Sequence, residues 1–319
     1  MRQELSYDHG RRLKNLRLYS PEHIDFIGNQ GALSRPICDL RVVTAMRLIE
    51  RRLDQPITTT ALADAVGLSR FYFIRLFQDQ AGETIMDYIR RMRLERSAAF
   101  LLNSSDSIVQ IGFSVGYGSQ SAFTRAFTHQ FDIPPADYRR TQRQVQINDL
   151  RASYKEAEVS NIQLKNFAAG SYFARRYLGV NENLSFQWDD CLRDIRLSAS
   201  SQVNWSRIEV VYDDDRITEP ERMRADFCLS MPAMSQQAQG LCGKGFQAIT
   251  LPPSIYAVIT MPRDRSLSDR DSGVLLDAWL GQQKRYRRRT SGATLKCWSN
   301  WDASPADRPD RILVPLDMI

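Results

Sequence analysis

The chain has 319 residues, 43% of them hydrophobic and 25% charged, and a net charge of +6. That length suits two domains, no run approaches the roughly 18–20 apolar residues that span a bilayer, and no apolar leader opens the chain, so a cytoplasmic protein with no membrane partner is expected. Five cysteines without a Cys-x-x-Cys pair and three histidines without ligand spacing suggest neither a disulfide framework nor a metal site; no cofactor is expected, and the cysteines read as small buried hydrophobes.

Residues 1–36 are polar and broken by Pro21, Gly28, Gly31 and Pro36, an N-terminal extension in which only 22–27 suggests a short helix. From Asp39 the pattern turns helical, with Val42, Val43, Met46, Ile49 and Leu53 as an apolar stripe ending before Pro56. Next come a short helix capped at Thr60 and ended by Gly67, a second capped by Ser69 and broken by Gly82, and a long one from Thr84 to Leu102. Ser107 opens another short helix closed by Gly116, and Ser119 heads a further one. One unit, short helix, glycine turn, Ser-headed helix, thus occurs twice, joined by one helix; each copy has the layout of a helix-turn-helix.

The second helix of each copy has two faces on a 100° wheel. Phe73, Leu76 and Phe77 point inward in the first, and Phe123, Ala126 and Phe127 in the second. Phe71 and Arg75 point outward with Ile74 at the side, and Gln120, Ser121 and Arg125 take the matching positions. In both copies the outward arginine follows its capping serine by six residues. Residues 37–145 carry 14 arginines and no lysine against 11 acids, and arginine presents a planar fork suited to guanine edges and phosphates. Double-stranded DNA is the expected partner. Phe71, Ile74, Arg75, Gln120, Ser121 and Arg125 are expected at bases. Ser69, Arg70, Arg90, Arg91, Ser119, Thr124, Arg139 and Arg140 are expected at the backbone, near helix N-termini or on basic faces.

After a polar linker at 146–159 the pattern changes to short β-prone stretches, among them SYFARRYLG, RIEVVYDDD, ADFCLSMP and RILVPL, interrupted by helices near Phe186–Leu197 and Gly273–Gln283. Residues 162–174 and 246–258 match in pattern, and each is followed by a helix with a Trp and then further strands, so 160–319 reads as an α+β domain with internal pseudo-symmetry and a cleft between halves. Trp188, Tyr256, Trp298 and Trp301 are candidates to line an aromatic effector pocket. GLCGKGF lacks the spacing of a phosphate loop, no nucleophile–histidine–acid set is present, and no enzymatic activity is expected. KRYRRR at 284–289 reads as a solvated basic run.

The stretches TTTALADAVGLSRFYFIRLFQDQAGETIMDYIRRMRLERSAAFLL and SIVQIGFSVGYGSQSAFTRAFTHQFDIPPADYRR resemble the AraC/XylS family of bacterial transcription regulators, most of all its multiple-antibiotic-resistance and right-origin-binding subgroup. The resemblance implies seven helices over about 38–143, both second helices in successive major-groove turns, and base-contact roles for the six outward residues. Gly112 stands where the family usually has Ala, and Ile74 is apolar where relatives often hydrogen-bond. More weakly, 160–319 resembles a GyrI-like effector-binding domain, with Ser299 in the place of that family's acid. The expected whole is a multidomain protein: an all-α double helix-turn-helix domain followed by an α+β, pseudo-symmetric GyrI-like domain. It is expected at the nucleoid as a monomeric regulator on DNA, an activator with RNA polymerase as a further partner and a small-molecule effector. The alternative is a sequestering or hydrolytic module whose DNA binding is architectural.

Overall fold

The computed structural model describes residues 35–153, 162–179, 185–196, 206–230, 244–261, 269–283, 285–290, 292–298 and 309–319. Seven helices come first: α1 (Leu40–Arg51), α2 (Thr59–Ala65), α3 (Arg70–Ala81), α4 (Ile85–Asn103), α5 (Ile108–Ser114), α6 (Gln120–Phe131) and α7 (Pro135–Ser153). Side-chain caps start them. Ser69, Thr84 and Ser119 each accept a backbone N–H three residues on, and Ser107 forms a reciprocal capping box with Gln110. The expected cap at Thr60 is corrected to Thr58, whose hydroxyl accepts the Ala61 N–H and starts the helix earlier. Helix α7 runs on to Ser153, through the first half of the polar stretch read as a linker.

Two cores result, and α4 serves both. Its first half sends Ile85, Tyr88, Ile89 and Met92 into a core with α1, α2 and α3. Its second half sends Leu94, Ala98, Leu101 and Leu102 into a core with α5, α6 and α7. Gly116, at φ 87°, is fixed by space as well as by its backbone, since a Cβ there would lie 2.6 Å from the Leu53 carbonyl oxygen.

The described residues of the second half of the chain form one antiparallel sheet with two α-helices. Its elements are β2 (Ile162–Phe167), β3 (Gly170–Leu178), α8 (Ser185–Arg196), β4 (Arg207–Val211), β5 (Arg224–Ser230), β6 (Gln247–Leu251), β7 (Ser254–Thr260), α9 (Asp269–Gln282), β8 (Tyr286–Arg288), β9 (Thr294–Trp298) and β10 (Arg311–Met318). The central order β3-β5-β4-β9-β10-β7 is symmetric about the β4–β9 junction. The opening strand of each half crosses over: β2 pairs with β7, and β6 pairs with β3. This is the internal duplication suggested by the matching stretches 162–174 and 246–258.

Alternation along the strands sorts side chains to two faces. Ala225, Phe227, Leu229 and Trp298 meet α8, and Ile312, Val314 and Leu316 meet α9. Ile208, Val210, Cys228, Tyr256 and Leu313 face the other way. Two strands lie outside the expected pattern. The basic run at 284–289 contributes β8, paired with β10, where Arg289 also donates to Asp317 at 2.7 Å. Arg35–Pro36, expected to be irregular, form a short strand, β1, on the edge of β3. Cys38 is exposed, against the expectation of uniformly buried cysteines, while Cys191, Cys228 and Cys297 are buried; Cys242 and the helix suggested at 22–27 lie outside the described residues.

The helical and sheet domains touch through an ionic interface. Asp226 of β5, fully buried, accepts from Arg47 of α1 at 2.8 Å, from Tyr212 at 2.7 Å and from Arg176 of β3. Glu50 of α1 receives Arg176 at 2.9 Å, Arg224 at 2.6 Å and the Tyr88 hydroxyl at 3.0 Å. Burial alone would push the Glu50 carboxyl up; the two guanidiniums beside it hold it down to about 2.

Candidate nucleic-acid interface

Helices α3 and α6 present matched faces. Phe73, Phe77, Phe123 and Phe127 have no exposed surface and anchor the two helices in their respective cores. On the opposite side Arg70, Phe71 and Arg75 of α3 and Gln120, Ser121 and Arg125 of α6 are exposed. Phe71 is 84% exposed, the most exposed of the large hydrophobic side chains among the described residues. Tyr72, 46% exposed, belongs to the same surface and was missed on the wheel; its ring lies 5.9 Å from the Arg41 guanidinium, which brings the starts of α1 and α3 together. Ile74 packs half-buried against the first core.

The backbone candidates divide. Arg70 and Arg140 are exposed, with Arg140 held to Asp137 at 2.8 Å, and Arg90 is exposed beside Asp87 at 3.0 Å. Ser69 and Ser119 spend their hydroxyls on helix caps, and Thr124 is half-buried. Arg91 is corrected outright: it is 4% exposed and closed between Glu83 at 2.6 Å and Glu95 at 3.1 Å, out of reach of a phosphate. Arg139 is a brace as well, donating to the carbonyls of Leu101 and Asp106.

Comparison with known proteins falls on this half of the chain. A family profile described as a helix-turn-helix domain matches residues 62–141. Regulatory protein SoxS of Escherichia coli K12 is 38% identical over 91 residues, which cover 28% of this chain and 85% of SoxS. The chain belongs to the AraC family of helix-turn-helix transcriptional regulators. The right origin-binding protein of the same organism is 40% identical over 93 residues, 29% of this chain and 32% of its own length. A solved AraC-type regulator from Chromobacterium violaceum is 33% identical and covers 31% of this chain and 89% of its own, with a TM-score of 0.30. The chain is thus an AraC-family DNA-binding regulator followed by a separate sheet-rich region. No helix among the described residues is long and apolar enough to cross a membrane.

In the sheet-rich region of this AraC-family chain the described aromatic candidates, Trp188, Tyr256 and Trp298, are buried and fall into two clusters. Trp188 and Trp298 are interior, 5.6 Å apart and edge to face, and the buried Arg207 guanidinium lies 4.2 and 4.3 Å from their ring centres. The space between the rings is filled by the chain's own cation. Tyr256 belongs to the cluster on the other sheet face. Ser299 and Trp301 lie outside the described residues. An opening of about 90 Å³ lies between α9 and the sheet, lined by Val211, Asp214, Arg216, Asp277, Arg288 and Lys296 among others. Burial pushes the Asp277 carboxyl up, while Arg216 holds that of Asp214 down.

Proposed function

We propose that this regulator is an activator that binds an asymmetric DNA site as a monomer, with α3 and α6 in successive major-groove turns. The supporting observation is the repeat itself: Arg75 and Arg125, each six residues after a capping serine, are exposed on two helices anchored by paired phenylalanines. An arginine so placed reaches both acceptors of a guanine edge. Gln120, exposed at the start of α6, carries the amide that pairs with adenine, and Phe71 offers an apolar face to a thymine methyl. Arg70, Arg90 and Arg140 supply backbone contacts. The DNA-binding half spans 37–145, and the half at 160–319 is a GyrI-like effector domain whose opening beside α9 takes a small molecule, with RNA polymerase as the activator's partner at the promoter.

Selection of sites from random duplex DNA tests this reading, run at stated salt because phosphate contacts make affinity salt-dependent. A two-part motif about one helical turn apart, lost in the Arg75→Ala/Arg125→Ala variant, is the expected result. No enriched motif at any salt, or one that survives the double substitution, counts against it.

A further inference from the structure

The two reading heads hang from one helix, yet they are not free of the rest of the chain. The first unit is held by the Glu50 and Asp226 networks. It is also held by Ile37, whose N–H donates to the Arg176 carbonyl at 2.9 Å, and by Leu178 at the end of β3, which belongs to the first core. The second unit is held by Ile217, which packs into the core of α5, α6 and α7. One segment of the sheet domain, residues 213–224, takes part in both attachments. Asp213 grips Arg224 at 2.6 Å, Arg224 grips Glu50, Arg222 reaches Glu83 at 3.6 Å, and Ile217 lies between. An inter-domain crevice of about 110 Å³ lies between this segment and α4, α6 and α7, lined by Arg91, Glu95, Gln130 and Tyr138 on one side and Arg216 and Arg222 on the other.

We propose that segment 213–224 is a brace that fixes the distance and rotation between α3 and α6, so that Ile217, Arg222 and Glu50 set which spacing of DNA half-elements the protein accepts, although none of them touches DNA. This inference rests on both heads reading DNA. Two linked binding modules gain affinity only when both sites fall within the geometry the linkage allows. A brace of buried ion pairs narrows that geometry further than one helix can, because breaking one partner of a buried pair leaves an uncompensated charge. Inserting one base pair between half-elements rotates and shifts the second by about 34° and about 3.4 Å. A braced protein pays for that mismatch by losing one head, whereas an unbraced one follows the DNA.

The test compares the selected site with versions carrying one or two inserted base pairs and with the two half-elements separately mutated. The proteins are wild type, Glu50→Gln/Ile217→Ser and the solvent-accessible Arg222→Ala, with hydrogen exchange over 213–224 reporting whether the segment has come away. Wild type is expected to lose about tenfold or more in affinity per insertion, and the double variant no more than about threefold, with single-element affinity unchanged; Arg222→Ala falls between. Three results overturn the brace. In the first, wild type tolerates insertions. In the second, insertion penalties are unchanged in a variant whose segment exchanges freely. In the third, single-element affinity falls in step with the two-element site, which is what general loss of folding produces. Absence of any selected site sinks the two-headed reading itself and takes the brace with it.

Discussion

Gly112 and Phe123 form one structural unit. A Cβ on Gly112 would lie 3.1 Å from the Phe123 ring, and that ring is fully buried where α5 and α6 cross. The glycine that weakens α5 on propensity grounds is the room that the phenylalanine needs. Gly112→Ala is therefore expected to lose much or all of the about 1 kcal/mol that helix propensity offers, because the Phe123 ring must give way. Gly112→Ala/Phe123→Leu should recover much of that loss, a non-additivity expected of contacting residues. Thermal or denaturant unfolding of the four proteins checks it; additive losses refute the coupling.

Arg75→Ala and Arg125→Ala should each cost about 1–3 kcal/mol on the selected site and little on random duplex, with relaxed preference at one base position. Competition binding against single-base variants of the site is the measurement. Uniform weakening on all sequences would mean that these arginines hold phosphate instead.

Arg140 and Arg91 are expected to part company. Arg140→Ala, at an exposed position, should reduce the slope of log affinity against log salt by about one unit without changing the melting temperature. Arg91→Ala strips the cation from between Glu83 and Glu95, and should destabilise the fold by about 3–5 kcal/mol, as removal of one partner from a buried ion pair does. Salt-titrated binding and calorimetry on both proteins distinguish the two.

Glu95 gives the interface a pH dependence. Burial, reinforced by the nearby Asp213, pushes its carboxyl up to about 7, although Arg91 opposes the shift. The folded state then holds a proton that the unfolded chain releases, so between the ordinary glutamate range near 4.5 and pH 7 stability falls as pH rises. Wild type should accordingly gain stability, on the order of 1–3 kcal/mol, from pH 8 to pH 5. Glu95→Gln should flatten that slope. Glu50 does not confuse the experiment, because its contribution is intact above about 4.5 and is lost only as pH falls towards 2. A slope of equal size in the variant assigns the effect elsewhere.

Local rules carried the DNA-binding half. Caps at Ser69, Thr84, Ser107 and Ser119, the glycine breaks and the phenylalanine stripes are short-range signals, and they place α3 and α6 correctly. The strands of the second half were also legible from alternation, and so was their duplication. What failed was what depends on distant partners. Glu95, one turn on, is a near partner that the sequence offers for Arg91, but an i,i+4 pair reads as a surface pair, and nothing local shows that Glu83 closes the other side or that the site is buried. Aromatic type does not reveal which sheet face a residue takes, so nothing local separates Tyr256 from Trp188 and Trp298 or brings Arg207 against both tryptophans. β1 was hidden because two residues carry no periodicity, and its pairing is set by the edge of β3.

The crossed first strands of the sheet have a further consequence. Each half-domain is completed by the other: β2 lies on β7 and β6 on β3. Divided between β5 and β6, the chain would yield two fragments that each lack a strand for an open edge and offer the strand the other needs. Such fragments should complement one another when mixed. A single half, doubled, has the makings of a closed two-fold dimer by mutual strand donation, so the architecture of this domain is that of a homodimer whose two subunits have been written in tandem on one chain.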